Sequence, residues 1–119
     1  MEAAETSCAR RLRAAGVALC VGACAALALP ASAKTWTVKM VDMQFVPANL
    51  TVARDDTIVW VNSDIVAHTV TSTVAGGFDS HAIAPGGRWR YRAKTPGHLA
   101  YRCTFHPTMQ AQLIVKERP

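Results

Sequence analysis

From residue 34 onward, apolar and polar residues alternate with a period of two in short stretches rich in Val, Thr, Ile, Trp and Tyr. Successive side chains of an extended backbone point to opposite faces, so this pattern predicts half-buried strands. The stretches run from Thr35 to Val41, Asn49 to Ala53, Thr57 to Asn62, His68 to Thr73, Arg88 to Ala93, Leu99 to Cys103 and Gln110 to Lys116. Turn signals separate them: Pro47, Arg54-Asp55-Asp56, Asn62-Ser63-Asp64, Gly76-Gly77, Pro85-Gly86-Gly87 and Pro96-Gly97. No part of this region keeps a helical period for ten residues. The pattern predicts an all-β fold, a Greek-key β-sandwich of about seven to eight strands in two packed antiparallel sheets. Its expected inward residues are Trp36, Val38, Phe45, Leu50, Val52, Ile58, Trp60, Val70, Trp89, Tyr91, Tyr101, Leu113 and Val115.

The first third reads differently. Arg10, Arg11 and Arg13 precede an unbroken run of small apolar residues from Ala14 to Leu29, followed by Pro30 and Ala31-Ser32-Ala33. A basic start, an apolar middle and an A-x-A ending predict a secretory signal peptide over residues 1–33, cleaved after Ala33, ahead of one domain over residues 34–119. A membrane-anchoring helix is the alternative, but an Ala- and Gly-rich run closed by Pro30 is short for a hydrocarbon core of about 30 Å. No stable membrane insertion is expected. Arg10-Arg11 also suits twin-arginine export, although the flanking Phe-Leu is missing. Val21-Gly22-Ala23-Cys24 resembles a lipoprotein processing box, although the apolar run continues past Cys24.

Cleavage would remove Cys8, Cys20 and Cys24 and leave Cys103 alone, with no disulfide partner in an oxidising compartment. The 119-residue chain is mildly basic, with 13 Lys and Arg against 8 Asp and Glu. It has no block of five basic residues, which argues for an acidic partner surface and against nucleic acid.

Candidate chemistry is concentrated in Cys103-Thr104-Phe105-His106-Pro107-Thr108-Met109, the turn expected between the last two strands. A thiol, an imidazole and a thioether can converge there, and His68, at the start of an earlier strand, is the natural fourth donor. Structural zinc sites rarely recruit Met, and catalytic zinc prefers His and carboxylate with an open position. Two imidazoles with two soft sulfurs suit copper, and a His₂Cys plane with a weak axial Met is an electron-transfer arrangement. Thr69 is placed to offer its backbone N–H to the Cys103 sulfur. His81 and His98 fall outside the constellation and are read as structural or merely exposed. Arg88, Arg90 and Arg92 alternate with Trp89 and Tyr91. They form either a solvated face or a stripe that steers an acidic partner.

These residues resemble the small cupredoxins, the type I or blue copper proteins of the plastocyanin, pseudoazurin and amicyanin group. The short C-x-x-H-x-x-M loop is most similar to amicyanin. The resemblance runs from about Met40 to Val115. It rests on Met43-Gln44-Phe45-x-Pro47, Asp56-Thr57-Ile58-Val59-Trp60-x-Asn62-x-Asp64, His68-Thr69-Val70, Phe78-Asp79-Ser80, Pro85-Gly86-Gly87, Pro96-Gly97 and Tyr101-x-Cys103-Thr104-x-His106-Pro107-x-Met109. It implies His68, Cys103 and His106 as a copper plane, Met109 as axial ligand, and an apolar docking patch around His106. Asp55 stands where relatives often have Gly, Thr69 where amicyanin has Asn, and Gln110-Ala111 where a residue-Gly pair is frequent.

The expected function is that of an exported, periplasmic, monomeric carrier. It holds one copper ion and shuttles single electrons between a donor and an acceptor protein, without being an enzyme. The alternative is a module that delivers the copper ion itself to a partner.

Overall fold

The computed structural model describes residues 16, 18, 22–27, 29 and 31–119. The basic part of the expected leader and part of its apolar run lie outside the described residues, as do Cys8 and Cys20. Eight strands follow one another from residue 35: β1 Thr35–Val41, β2 Gln44–Val46, β3 Asn49–Ala53, β4 Thr57–Asn62, β5 Thr71–Ser72, β6 Arg88–Arg92, β7 Gly97–Arg102 and β8 Gln110–Lys116. They form two four-stranded sheets, ordered β2-β1-β4-β6 and β3-β8-β7-β5. The chain is therefore all-β, a sandwich, with no helix among the described residues and hence none long enough to cross a membrane.

The core lies between the sheets. Val38, Met40, Ile58 and Trp60 come from one side, and Val52, Tyr101, Leu113 and Val115 from the other. Trp60 is the hub, with its ring near Phe78, Trp89 and Tyr101 and its Nε1 donating to the Tyr101 hydroxyl at 3.2 Å. Of the expected inward residues, Trp36, Leu50, Trp89 and Tyr91 are only half-buried against this core. Phe78 and Ile83, from the long segment between β5 and β6, complete it.

Three differences from the expected architecture have physical causes. Neither sheet is purely antiparallel: β1 pairs parallel with β4, and β3 pairs parallel with β8. Strands β2 and β3 lie in different sheets, so β4 returns beside β1 running the same way. A period of two is identical for either pairing and cannot tell them apart. The strand expected from His68 to Thr73 shrinks to Thr71–Ser72. His68 pairs only as an isolated bridge with Ile83, and the next two donors go to side chains, Thr69 N to Cys103 Sγ and Val70 N to Ser80 Oγ, leaving no regular ladder. Finally, β2 pairs with β1 across a two-residue turn, Asp42-Met43, with φ of 51° and 60°. Such a turn normally calls for Asn-Gly. Here the Asp64 carboxylate supports it, accepting Asp42 N at 2.7 Å and Met43 N at 3.0 Å.

Candidate metal centre

At the end of β4, Asn62 is buried and organises the loop that leads to His68. Its Nδ2 donates to Val66 O at 2.8 Å and to Ile83 O at 2.9 Å, while its Oδ1 accepts Asp64 N at 3.0 Å. His68 itself exchanges both backbone hydrogen bonds with Ile83, at 3.1 and 2.7 Å. An imidazole at this position therefore sits on a fixed backbone, and it is fully buried.

The other candidates come from the connection between β7 and β8. Met109 N donates to His106 O at 2.8 Å and Cys103 N to Met109 O at 3.1 Å, so the loop closes on itself and brings Met109 back beside Cys103. Cys103 and Met109 are buried, and His106 is half-buried. His68 Nδ1 lies 3.8 Å and His106 Nδ1 3.6 Å from Cys103 Sγ. Donor atoms of all three residues fall within 4.8 Å of one another. The two imidazole rings meet edge to face at 5.2 Å.

Two further sets of contacts hold this arrangement. Thr69 N donates to Cys103 Sγ at 3.3 Å, as expected from the sequence. The Thr69 hydroxyl accepts Thr104 N at 2.8 Å and lies 3.1 Å from the Thr104 hydroxyl, tying the His68 segment to the Cys103 loop. The hydroxyl of Thr71 donates to the same oxygen at 3.0 Å. Thr at position 69 thus supplies both a backbone donor and a side-chain strap.

On the far side of His68, Nε2 faces Asp64 Oδ2 at 2.7 Å. A carboxylate acceptor there favours the proton on Nε2 and leaves Nδ1 as the ligand atom, aimed at the thiol. Burial works against the charge on Asp64. The His68 ring and the N–H groups of Met43 and Asp42 outweigh it and hold the carboxyl below its ordinary range. In the sequence Asp64 stands only as one position of the Asp56–Asp64 motif. Its one local signal is its place four residues before His68, because its other partners are more than twenty residues away. His81 and His98 are exposed and stand apart from the cluster, as expected; His81 lies 3.7 Å from an Asp79 carboxylate oxygen.

The donor set fits copper. A buried cysteine sulfur, a buried thioether residue and two imidazoles with no carboxylate in the inner group match a soft ion that changes charge by one, and the Met is out of character for zinc. His68, Cys103, His106 and Met109 form a candidate type I copper site.

Comparison with solved structures gives the same fold. A methionine mutant of amicyanin in its Cu(I) form superposes with a TM-score of 0.65 at 23% identity, covering 69% of this chain and 82% of that one. A purple cupredoxin from Nitrosopumilus maritimus gives 0.64 at 22% identity, covering 68% and 99%. A Cu-containing nitrite reductase from Thermus scotoductus gives 0.67 at 27% identity over 78% of this chain, which spans only 26% of that enzyme. The family of the cupredoxin-like domain matches residues 12–115, nearly the whole chain. On the strength of that match, and with the candidate donor set His68, Cys103 and His106 in place, the chain belongs to the cupredoxin-like domain family.

Proposed function

We propose that the protein holds one copper ion at His68, Cys103, His106 and Met109 and passes single electrons between a donor and an acceptor protein, turning over no substrate itself. One observation carries this reading: two imidazole Nδ1 atoms stand 3.8 and 3.6 Å from a fully buried thiol, on a backbone already fixed by hydrogen bonds. When bound, copper supplies a Cu(I)/Cu(II) couple. The protein's part is to keep the donors still. Asn62 and Asp64 fix His68, the Thr69–Thr104 strap fixes Cys103, and the loop's own hydrogen bonds fix Met109. Donors that do not rearrange keep the reorganisation cost of electron exchange low.

His106 is the one imidazole of the pair that is not fully covered, so it is the group through which electrons enter and leave. Exposed apolar side chains flank the ligands along the chain, namely Ile65, Val66 and Phe105, and Met43 is exposed in the turn held by Asp64. This is an apolar surface of the kind that docks partner proteins. The leader motif supports export to the periplasm, where a monomeric carrier would meet its partners. Delivery of copper to a partner is disfavoured by burial, because neither Cys103 nor His68 is open to an incoming ligand.

Reconstitution with copper tests the proposal. An intense thiolate-to-Cu(II) absorption band with a small hyperfine splitting is expected, and Cys103→Ala abolishes both. A colourless protein that prefers zinc overturns the reading. Electron self-exchange faster than copper loss to a chelator marks a carrier; the reverse order marks a copper donor.

A further inference from the structure

The carboxylate that precedes β4 is used by none of this chemistry. Asp56 is 1% exposed, yet it accepts four hydrogen bonds. They come from Lys34 N at 2.8 Å, Trp36 Nε1 at 2.9 Å, Ala53 N at 3.0 Å and Arg118 Nη2 at 2.6 Å. Asp56 immediately precedes β4 and Asn62 ends it, so the cluster lies about 20 Å of strand, at ~3.3 Å per residue, from the Asn62 end that organises the His68 loop. The Lys34 donor is the nitrogen of the Ala33–Lys34 bond, where the leader motif ends. Residues 31–34 are exposed and precede β1. Arg118 holds the segment as well, donating to Ala31 O at 3.3 Å and Ser32 O at 3.1 Å.

We propose that Asp56 is a preformed socket for the α-ammonium group that removal of the leader creates at Lys34. The inference rests on the export reading above. Hydrolysis by a signal peptidase adds one water across the Ala33–Lys34 amide. It leaves a carboxylate on departing Ala33 and an α-amine on Lys34, which takes up a proton. An amide with one N–H and no charge is thereby replaced by a cation with three donors, at the same 2.8 Å distance from a buried carboxylate. Charge-assisted hydrogen bonds are roughly twice as strong as neutral ones. The backbone of Lys34 remains anchored on its other side, where Thr57 N donates to Lys34 O at 2.8 Å, so the new terminus is delivered to the carboxylate.

The charged groups around the socket set the sign. Arg118 shares Asp56 Oδ1 and repels the ammonium, lessening the effect. Arg54 is engaged with Glu117 at 3.4 Å, and Asp55 with Arg92 at 3.3 Å. The Lys34 side chain is exposed. The carboxylate is the nearest partner, and burial shields its interaction from water, so attraction prevails. The folded α-amine titrates above its unfolded value of about 7.7–8.0. The resulting stability is present below that range and is lost as pH rises through the folded value.

The test starts from the full chain produced in a bacterium that exports it. The intact mass of the exported protein is expected to show Lys34 as the first residue. Its unmodified α-amine, followed through the Lys34 ¹³Cα shift by NMR, is expected to titrate at least about one unit above the ordinary range. Asp56→Asn should return it to that range. Because Asp56→Asn removes a buried carboxylate and can fail to fold, a second variant inserts one Ser between Ala33 and Lys34. That variant keeps the amide on Asp56 and moves the ammonium one residue away, so it should fold, show an ordinary α-amine and melt lower. An exported chain starting at another residue, or an α-amine at Lys34 in the ordinary range, overturns the proposal. Neither result touches the copper reading, which stands or falls on the thiolate band.

Discussion

Asp64 spreads its two oxygens over three N–H groups, the backbone donors of Asp42 and Met43 and the Nε2 side of His68. One short side chain therefore holds both a β-turn of unusual conformation and the orientation of a candidate ligand. Removing such a partner typically costs 10–100-fold in metal affinity. Asp64→Ala should weaken copper binding by about that factor, measured by competition with a chelator. Asp64→Asn keeps an acceptor but loses the charge that favours Cu(II), so its reduction potential should rise. An unchanged potential in a folded, copper-loaded Asp64→Asn protein would remove Asp64 from the tuning of the site. Tyr101 makes a different prediction. Burial pushes its hydroxyl up to about 12, only partly offset by the Trp60 hydrogen bond. The folded value lies above the unfolded one of about 10, so stability is full below pH 10 and declines towards pH 12. Tyr101→Phe should flatten that decline in denaturant titrations between pH 9 and about 11.5. The candidate ligand residues were legible because each is a distinctive donor at a telling spacing. Asp64 was not, because its partners lie in a turn far away in the chain.

Among the elements, β5 and the loop from Cys103 to Met109 show how the site is built by diverting backbone donors from ladders. The N–H of Thr69 serves the sulfur, and the hydroxyl of Thr69 serves Thr104 N. Thr69→Val leaves that amide without its acceptor, which should cost about 1–3 kcal/mol, read from the copper-free protein's denaturant midpoint. The same diversion explains why the sequence overstated this strand: alternation continues through His68–Val70 while the hydrogen bonds go elsewhere. Strand β2 was missed because three residues carry too little pattern, and the parallel pairings because alternation has no direction. Alternation did predict β6 well. Arg88, Arg90 and Arg92 are exposed on this edge strand while Trp89 and Tyr91 are half-buried. A basic edge discourages strand addition and attracts acidic surfaces. Reversing all three charges should slow association with an acidic redox partner and weaken the salt dependence of the rate, measured by stopped flow at several ionic strengths.

For the molecule as a whole, a small sandwich without a disulfide in its domain gains from any ligand that binds the folded state alone. At a free copper concentration 100 times the dissociation constant, the gain is about 2.7 kcal/mol. For a domain of this size that corresponds to a melting temperature raised by roughly 10–20 °C. Calorimetry with and without copper, and again after chelation, measures it; Cys103→Ala should abolish most of the shift. Acid acts at the other end of β4. Burial disfavours the charge on Asp56, but its donors Lys34, Trp36, Ala53 and Arg118 prevail and hold the carboxyl far below its ordinary value. The stability it contributes is full above the unfolded value of about 4 and is lost as pH falls through the folded one.

The placement of Lys34 and His68 at opposite ends of the β1–β4 pair has a consequence for orientation. Residues 31–34 approach the sandwich from the Asp56 end, whereas His106 opens at the other. A chain held to a membrane by its first residues would stand upright, its candidate copper site turned away from the lipid. Tethering of that kind would leave the His106 face unobstructed, and release would change only how far the domain can travel.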